Sequence, residues 1–234
     1  MRVAPEVPKT HSVPFPSSGC TLLLFCCCHA AAQTTSNVPV LHQAQSVGSG
    51  EQNDQWAFSA SVYAYFPPDG ANYLQPTLAA DREWLHLEAR YNYEALDTGS
   101  AWFGYNFSGG GDKVRWNFSP MLGGIFGKLN GFGPGYLASV QWRRLEFYSE
   151  GEYVIDTAKL SASYFYNWSE LRFGVLDRLW VGTVAQHTRV YQSDREIQRG
   201  LLAGFSYKGA DFTGYVFNPD DSTRFAVIAL SLSW

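Results

Sequence analysis

From Gln55 onward, apolar and polar positions alternate along the chain. Trp56, Phe58, Ala60, Val62, Ala64 and Phe66 fall on one side of a two-residue period, with Gln55, Ala57, Ser59, Ser61, Tyr63 and Tyr65 on the other. A second stretch sets Leu85, Leu87, Ala89, Tyr91 and Tyr93 against Trp84, His86, Glu88, Arg90, Asn92 and Glu94. Successive side chains of a strand point to opposite faces, so each stretch predicts a strand with one greasy and one polar face. Such a strand alone fits a soluble secreted sandwich as well as a membrane barrel.

Strand number and length separate the two. Turn signals divide the chain into strands near 55–66, 72–80, 83–95, 99–108, 112–126, 133–142, 144–155, 161–175, 179–191, 196–208, 211–218 and 222–234. Many exceed the usual globular length and approach the roughly 9–11 residues that a tilted strand needs to cross hydrocarbon. Connections at Asp81-Arg82, Trp142-Arg143, Asp177-Arg178 and Lys208 to Asp211 are tight, and those at Pro67 to Ala71, Lys128 to Pro134 and Asp156 to Leu160 are longer. Pro76 and Pro120 fall inside the second and fifth strands, where each removes a ladder donor. They mark bulges in a set of twelve, or breaks that reduce the count to ten. An even number of antiparallel strands brings the last beside the first, and closure removes edges that hydrocarbon cannot satisfy. The expected fold is all-β: a closed up-and-down antiparallel transmembrane β-barrel of about 12 strands, with tight turns and both termini facing the periplasm.

Composition favours the membrane setting. Charged residues make up only 16% of the 234 and aromatic residues another 16%, a balance suited to a surface facing lipid. The net charge is −4, and no basic stripe exists to neutralise phosphates, so nucleic acid is not an expected partner. No run of 18 apolar residues occurs, which leaves strands as the route across a bilayer. All four cysteines, Cys20, Cys26, Cys27 and Cys28, precede Gln33. No disulfide framework or thiolate metal site is therefore possible beyond it.

The apolar run from Cys20 ends in Ala30-Ala31-Ala32 before Gln33, the pattern of a cleaved signal peptide over residues 1–32. The proline-rich segment ahead of it is only weakly basic through Arg2 and Lys9, and Phe25 ahead of Cys26 does not suit a lipoprotein. Residues 33–54 are rich in Gln, Ser and Gly and read as a flexible periplasmic lead-in, leaving 55–234 as the barrel.

The last residues, from Phe225 to Trp234, place Ala226, Ile228, Leu230, Leu232 and Trp234 on one face with Val227, Ala229, Ser231 and Ser233 on the other. This resembles the terminal strand of Gram-negative outer-membrane β-barrel proteins, which usually ends in an aromatic residue, here tryptophan. The resemblance implies an outer-membrane location, contact with membrane lipid and lipopolysaccharide, and handling by the barrel-assembly machinery. Barrel lipases and lipid A deacylases carry a His-x-Ser arrangement, which neither His86-Leu87-Glu88 nor His187-Thr188-Arg189 matches.

Projecting the alternation inward gives a mixed-charge lumen of His86, Glu88, Arg90, Lys113, Arg115, Glu146, Glu150, Glu152, Glu170 and Arg172. These side chains either line a narrow wet pore or interlock as a salt-bridged plug, because buried charges persist only when paired. Glu150 and Glu152 share a face and read as acceptors for interior arginines, opposite Arg172, Arg115 or Arg90, and not as a catalytic pair. Few histidines and no cysteines after Gln33 make a metal site or other cofactor unexpected. The Asn-aromatic-Ser triplets at Asn106, Asn117 and Asn167 are coincidental sequons on strands, and Gly109-Gly110-Gly111 is a turn. Trp56, Trp116, Trp142, Trp180 and Trp234 lie near strand ends and are expected in interface girdles. The expected function is a small porin-like channel for polar solutes or ions. The alternatives are a non-conducting structural or interaction barrel with a salt-bridged lumen and, third, an outer-membrane enzyme.

Overall fold

A computed structural model of the chain describes residues 55–190 and 196–234; the signal peptide and lead-in expected over 1–54 lie outside them. Twelve antiparallel strands form one sheet: β1 (Ala57–Phe66), β2 (Tyr73–Arg82), β3 (Leu85–Tyr91), β4 (Thr98–Tyr105, continued by Phe107–Gly110), β5 (Val114–Gly127), β6 (Gly131–Trp142), β7 (Leu145–Asp156), β8 (Tyr164–Leu176), β9 (Leu179–Val190), β10 (Glu196–Tyr207), β11 (Ala210–Phe217) and β12 (Phe225–Ser233). Each strand pairs with its sequence neighbours, and β1 pairs with β12 from Ser59↔Ser233 to Phe66↔Ala226. The ring closes there, reinforced by reciprocal backbone bonds between Phe58 and Trp234 at 2.9 and 3.1 Å. Closure leaves no open edge, the condition for crossing hydrocarbon as strands.

The prolines do not reduce the count. Pro76 stands in register with Val62 and Pro120 with Tyr136. The interruption falls on the neighbour of Pro120 instead. The β4–β5 register runs from Gly104↔Met121 to Phe107↔Phe118 without a shift, so Pro120 faces Tyr105, beside the break at Asn106. A missing N–H donor at that point weakens one rung and spares the strand. Asn106 spans the gap with side-chain bonds, donating to Asp81 at 2.7 Å and accepting from Ser119 at 2.5 Å.

Connections at one end are two or three residues long, as at Glu83-Trp84, Arg143-Arg144, Asp177-Arg178 and Lys208-Gly209. Lys208 and Gly209 both have positive φ, 51° and 82°, the left-handed pair that a tight hairpin turn requires. Both strand termini lie at this end. The opposite rim carries the longer connections, including 67–72, 92–97, 157–163 and 218–224.

The outer surface is apolar. Leu74, Leu78, Leu87, Phe103, Leu122, Phe126, Leu201, Phe205 and Ile228 are exposed around it, and an apolar belt of this extent is a surface for lipid, not water. One sector of the wall differs. On β6–β8, the Asn167 side chain donates to Tyr136 (2.8 Å), Ser149 (3.0 Å) and the Glu150 backbone carbonyl (2.8 Å), Ser169 donates to the Asn167 side-chain Oδ1 (3.0 Å), and Ser149 bonds both Ser169 and Tyr136. These outward-facing polar groups consume one another's hydrogen-bonding capacity.

The alternation fails at both ends of β3. Trp84, expected on the polar face, sits in the β2–β3 turn and lies outside, 45% exposed and stacked on Tyr105 at 5.4 Å. Beyond Tyr91 the period is lost because Asn92 turns left-handed (φ 59°) and ties down Leu74 and Asp97 with its side chain. Tyr93, expected to face lipid, is thereby turned into the lumen.

Replacing outward-facing Leu87 with Arg places a charge in hydrocarbon and is expected to cost on the order of 2–4 kcal/mol near the midplane. The same arginine at inward-facing Ser59, beside the open tight-turn rim, is expected to be tolerated. The yield of folded, heat-modifiable protein on unheated gels measures both, and equal yields would refute the inside/outside assignment.

Candidate functional site: the barrel lumen

The inward-facing positions form two apolar clusters separated by a charged seam. Trp102, Met121, Ile125 and Val154 pack together against β4, β5 and β7. Trp168, Trp180, Val184, Leu202, Tyr215, Phe217 and Val227 fill the side of β8–β12. Two inward glycines make room for the indoles: a Cβ on Gly123 would lie 2.3 Å from the Trp102 ring, and one on Gly204 would lie 2.4 Å from Trp180. Trp180, expected in the interface girdle, is only 1% exposed. Its parity on β9 opposes outward-facing Leu179 and Val181, so it packs inside. Trp56, Trp116, Trp142 and Trp234 are exposed near the tight-turn rim.

Arg90 organises the seam. Its Nε donates to Glu88 Oε1 at 2.7 Å, and its Nη1 crosses the lumen to Glu152 Oε2 on β7 at 2.9 Å. The guanidinium lies over the Tyr93 ring at 4.2 Å and the Trp102 ring at 4.9 Å, adding cation–π attraction in a desolvated place. His86 spans Asp81 (2.8 Å) and Glu88 (3.1 Å). Glu94 folds inward from the β3–β4 connection and accepts from Ser100 at 2.5 Å and Trp102 at 3.2 Å. Arg90, His86, Glu88 and Glu94 are each held by more than one partner, the arrangement a buried ion cluster needs to offset desolvation, whereas Glu152 is held by Arg90 through Oε2 alone.

A second cluster lies lower on β8. Glu170 accepts from Trp168 Nε1 (2.7 Å), Tyr215 (3.0 Å) and Arg172 Nε (2.5 Å). Arg172 thus pairs along its own strand and not with Glu150 or Glu152. Glu146 stands in register with Arg172. Arg115, expected to reach across the interior, is exposed at the rim and bonds Gln141, its register partner, at 2.6 Å. It sits one residue inside β5, too near the tight-turn end to meet the seam. Lys113 belongs to the exposed β4–β5 turn.

Glu150 differs from the other inward carboxylates. It accepts from Tyr93 Oη at 2.6 Å and Tyr148 Oη at 2.5 Å, and among the described residues no cationic side chain forms an ion pair with it. It lines a cavity of about 90 Å³ that runs along β1, β2 and β12. Ser59, Ser61, Thr77, Ser231 and Ser233 form one wall, and Glu88, Tyr148, Glu150, Tyr166, Trp168 and Asp211 contribute to the rest. Nothing in the alternation distinguishes this strip from any other; its signal is the run of small hydroxyl residues at the inward positions of β1 and β12.

No protein-family model and no curated protein matches the chain. Among solved structures, the KdgM porin aligns with a TM-score of 0.54 at 9% identity, over 75% of this chain and 99% of that one. The chain has a fold similar to that of the KdgM porin. The same porin in complex with disordered oligogalacturonate aligns at a TM-score of 0.53 and 10% identity, with the same coverage. At such identity the likeness is one of architecture, and the lumen chemistry must be read from this chain's own residues.

Removing Arg90 is expected to be the most damaging single change to the seam. Arg90→Met leaves Glu88 and Glu152 buried without their shared cation, a loss of about 3–5 kcal/mol. Arg115→Gln, at an exposed rim position, is expected to cost less than about 1 kcal/mol. Urea unfolding midpoints of the two variants in detergent or lipid measure the difference.

Proposed function

We propose that this chain is a narrow outer-membrane channel, not an enzyme, passing small cationic or neutral polar solutes. The observation that carries the reading is the hydroxyl- and carboxylate-lined cavity inside a barrel whose outer surface is apolar. A barrel this polar within needs water or solute against its interior, since groups left dry and unpaired are costly. The fold's similarity to a porin supports the reading, as does an exterior fit for the bilayer.

The balance of interior charge supports cations over anions. Asp81, Glu88, Glu94, Glu146, Glu150, Glu152, Glu170 and Asp211 point inward, against Arg90, Arg172, His86 and, at the rim, Arg115. Walls of one sign in a low-dielectric enclosure concentrate ions of the other. A polyanion such as the oligogalacturonate bound by the KdgM porin would meet net repulsion here, so that ligand is not carried over to this chain.

A second reading, a non-conducting barrel with a salt-bridged lumen, rests on the Arg90–Glu152 and Tyr93–Glu150 bonds that cross the interior. Planar-bilayer recordings in a potassium chloride gradient decide between the two. The channel reading expects steps of conductance and a reversal potential of the sign given by potassium permeation. Asp211→Asn, which neutralises a carboxylate on the cavity wall, is expected to shift that potential toward zero. A folded protein that never conducts would establish the second reading, and an anion-selective reversal potential would overturn the charge argument.

A further inference from the structure

We infer that the lumen cavity is a binding site for small organic ammonium ions. The inference deepens the channel reading and rests on it for a route of entry.

Charge supplies the first half of the argument. Of the carboxylates on the cavity wall, Glu88 already holds Arg90 and His86. Glu150 holds only the hydroxyls of Tyr93 and Tyr148, and Asp211 only that of Ser206, at 2.5 Å. Hydroxyl donors orient a carboxylate without neutralising it, so Glu150 and Asp211 face the cavity with no ion-paired cation among the described residues, while His86 and Arg90 are engaged by Glu88. A charge enclosed in this way favours a mobile counter-ion that can come in and leave.

The walls decide what kind of cation fits. Tyr63, Tyr65, Tyr93, Tyr166 and Trp168 border the same space as Glu150, and some pack edge-on, as Tyr63 does against Trp168 at 6.1 Å and Tyr93 against Tyr166 at 5.5 Å. Ring faces attract ammonium and quaternary ammonium groups and suit their apolar surface. A bare metal ion instead demands a shell of several close oxygen ligands, and among the described residues no group of acidic and histidine side chains could hold one. At about 90 Å³ the space exceeds what one water needs, about 10–15 Å³ by this measure, several-fold. That admits a cation of a few heavy atoms, with its charge at Glu150 and its carbons against the rings.

The test uses the full chain folded in detergent, titrated with tetramethylammonium and methylammonium chloride and, at matched ionic strength, with sodium chloride and neutral tert-butanol. Tryptophan fluorescence reports occupancy because Trp168 borders the cavity, and Trp168→Phe is expected to remove the ligand-dependent change. A saturable response to the ammonium ions, absent with tert-butanol and sodium, is expected. Glu150→Gln should weaken it at least about tenfold, the loss of one charge-assisted contact. Equal responses to tert-butanol and tetramethylammonium would overturn the inference, and they do so on the unaltered protein even if Glu150→Gln does not fold. An unchanged affinity in folded Glu150→Gln would overturn it as well. Bilayer recordings keep the two ideas apart. Potassium conductance without saturable ammonium binding removes the site and leaves the channel, whereas binding without conductance removes the channel and leaves the site.

Discussion

The pairing of β1 with β12 is the constraint on which everything else depends. A barrel wall in hydrocarbon has no water to satisfy a free backbone edge, so the two terminal strands must find each other. They do so over eight residue pairs, from Ser59↔Ser233 to Phe66↔Ala226, with Phe58 and Trp234 bonded at the rim. Once closed, the ring divides side chains into two populations by parity alone. Those facing out meet lipid, and those facing in must settle their polar needs among themselves or with whatever enters.

The interior shows how that settlement is made. Arg90, held by Glu88 on its own strand, ties β3 to β7 through Glu152, and Tyr93 ties the β3–β4 connection to Glu150. These links and the indole clusters fill part of the lumen. A cavity is left beside β1, β2 and β12, where the inward residues are small and hydroxylated. Side-chain size, more than strand number, therefore sets where anything could pass. The resemblance to the KdgM porin is one of strand arrangement, and the acid-rich interior belongs to this sequence.

Much of this was legible from the alternation. The strand order and the inward parity of Glu88, Arg90, Glu150, Glu152, Glu170 and Arg172 follow from a period of two, because parity is a local property, whereas Pro76 and Pro120 leave the count open between twelve and ten. What escaped is what parity does not carry. Trp180 looked like a girdle residue because it lies near a strand end; its inward direction shows in Leu179 and Val181 on either side of it, and the room for its ring comes from Gly204 on another strand. Tyr93 was misplaced because Asn92 adopts positive φ, which resets the phase without any glycine to announce it. Arg115 has the expected parity but lies at the wrong height, and height depends on the stagger between strands, which no single strand encodes. The pairing of charges was the least legible feature: Arg172 turned to Glu170 two residues away, and Arg90 reached Glu152 across the barrel.

The polar sector on the outer wall of β6–β8 carries a further lesson. Ser149, Asn167 and Ser169 are hydrophilic and Tyr136 carries a polar hydroxyl, yet their donors and acceptors are turned toward one another. Lipid at that spot meets a surface whose valences are already spent. Making the wall greasier one residue at a time would then work against the fold. Alanine in place of Ser149 deletes a shared hydroxyl and strands its neighbours' polar groups in hydrocarbon, so a substitution that raises hydrophobicity on the lipid side lowers the barrel's compatibility with lipid.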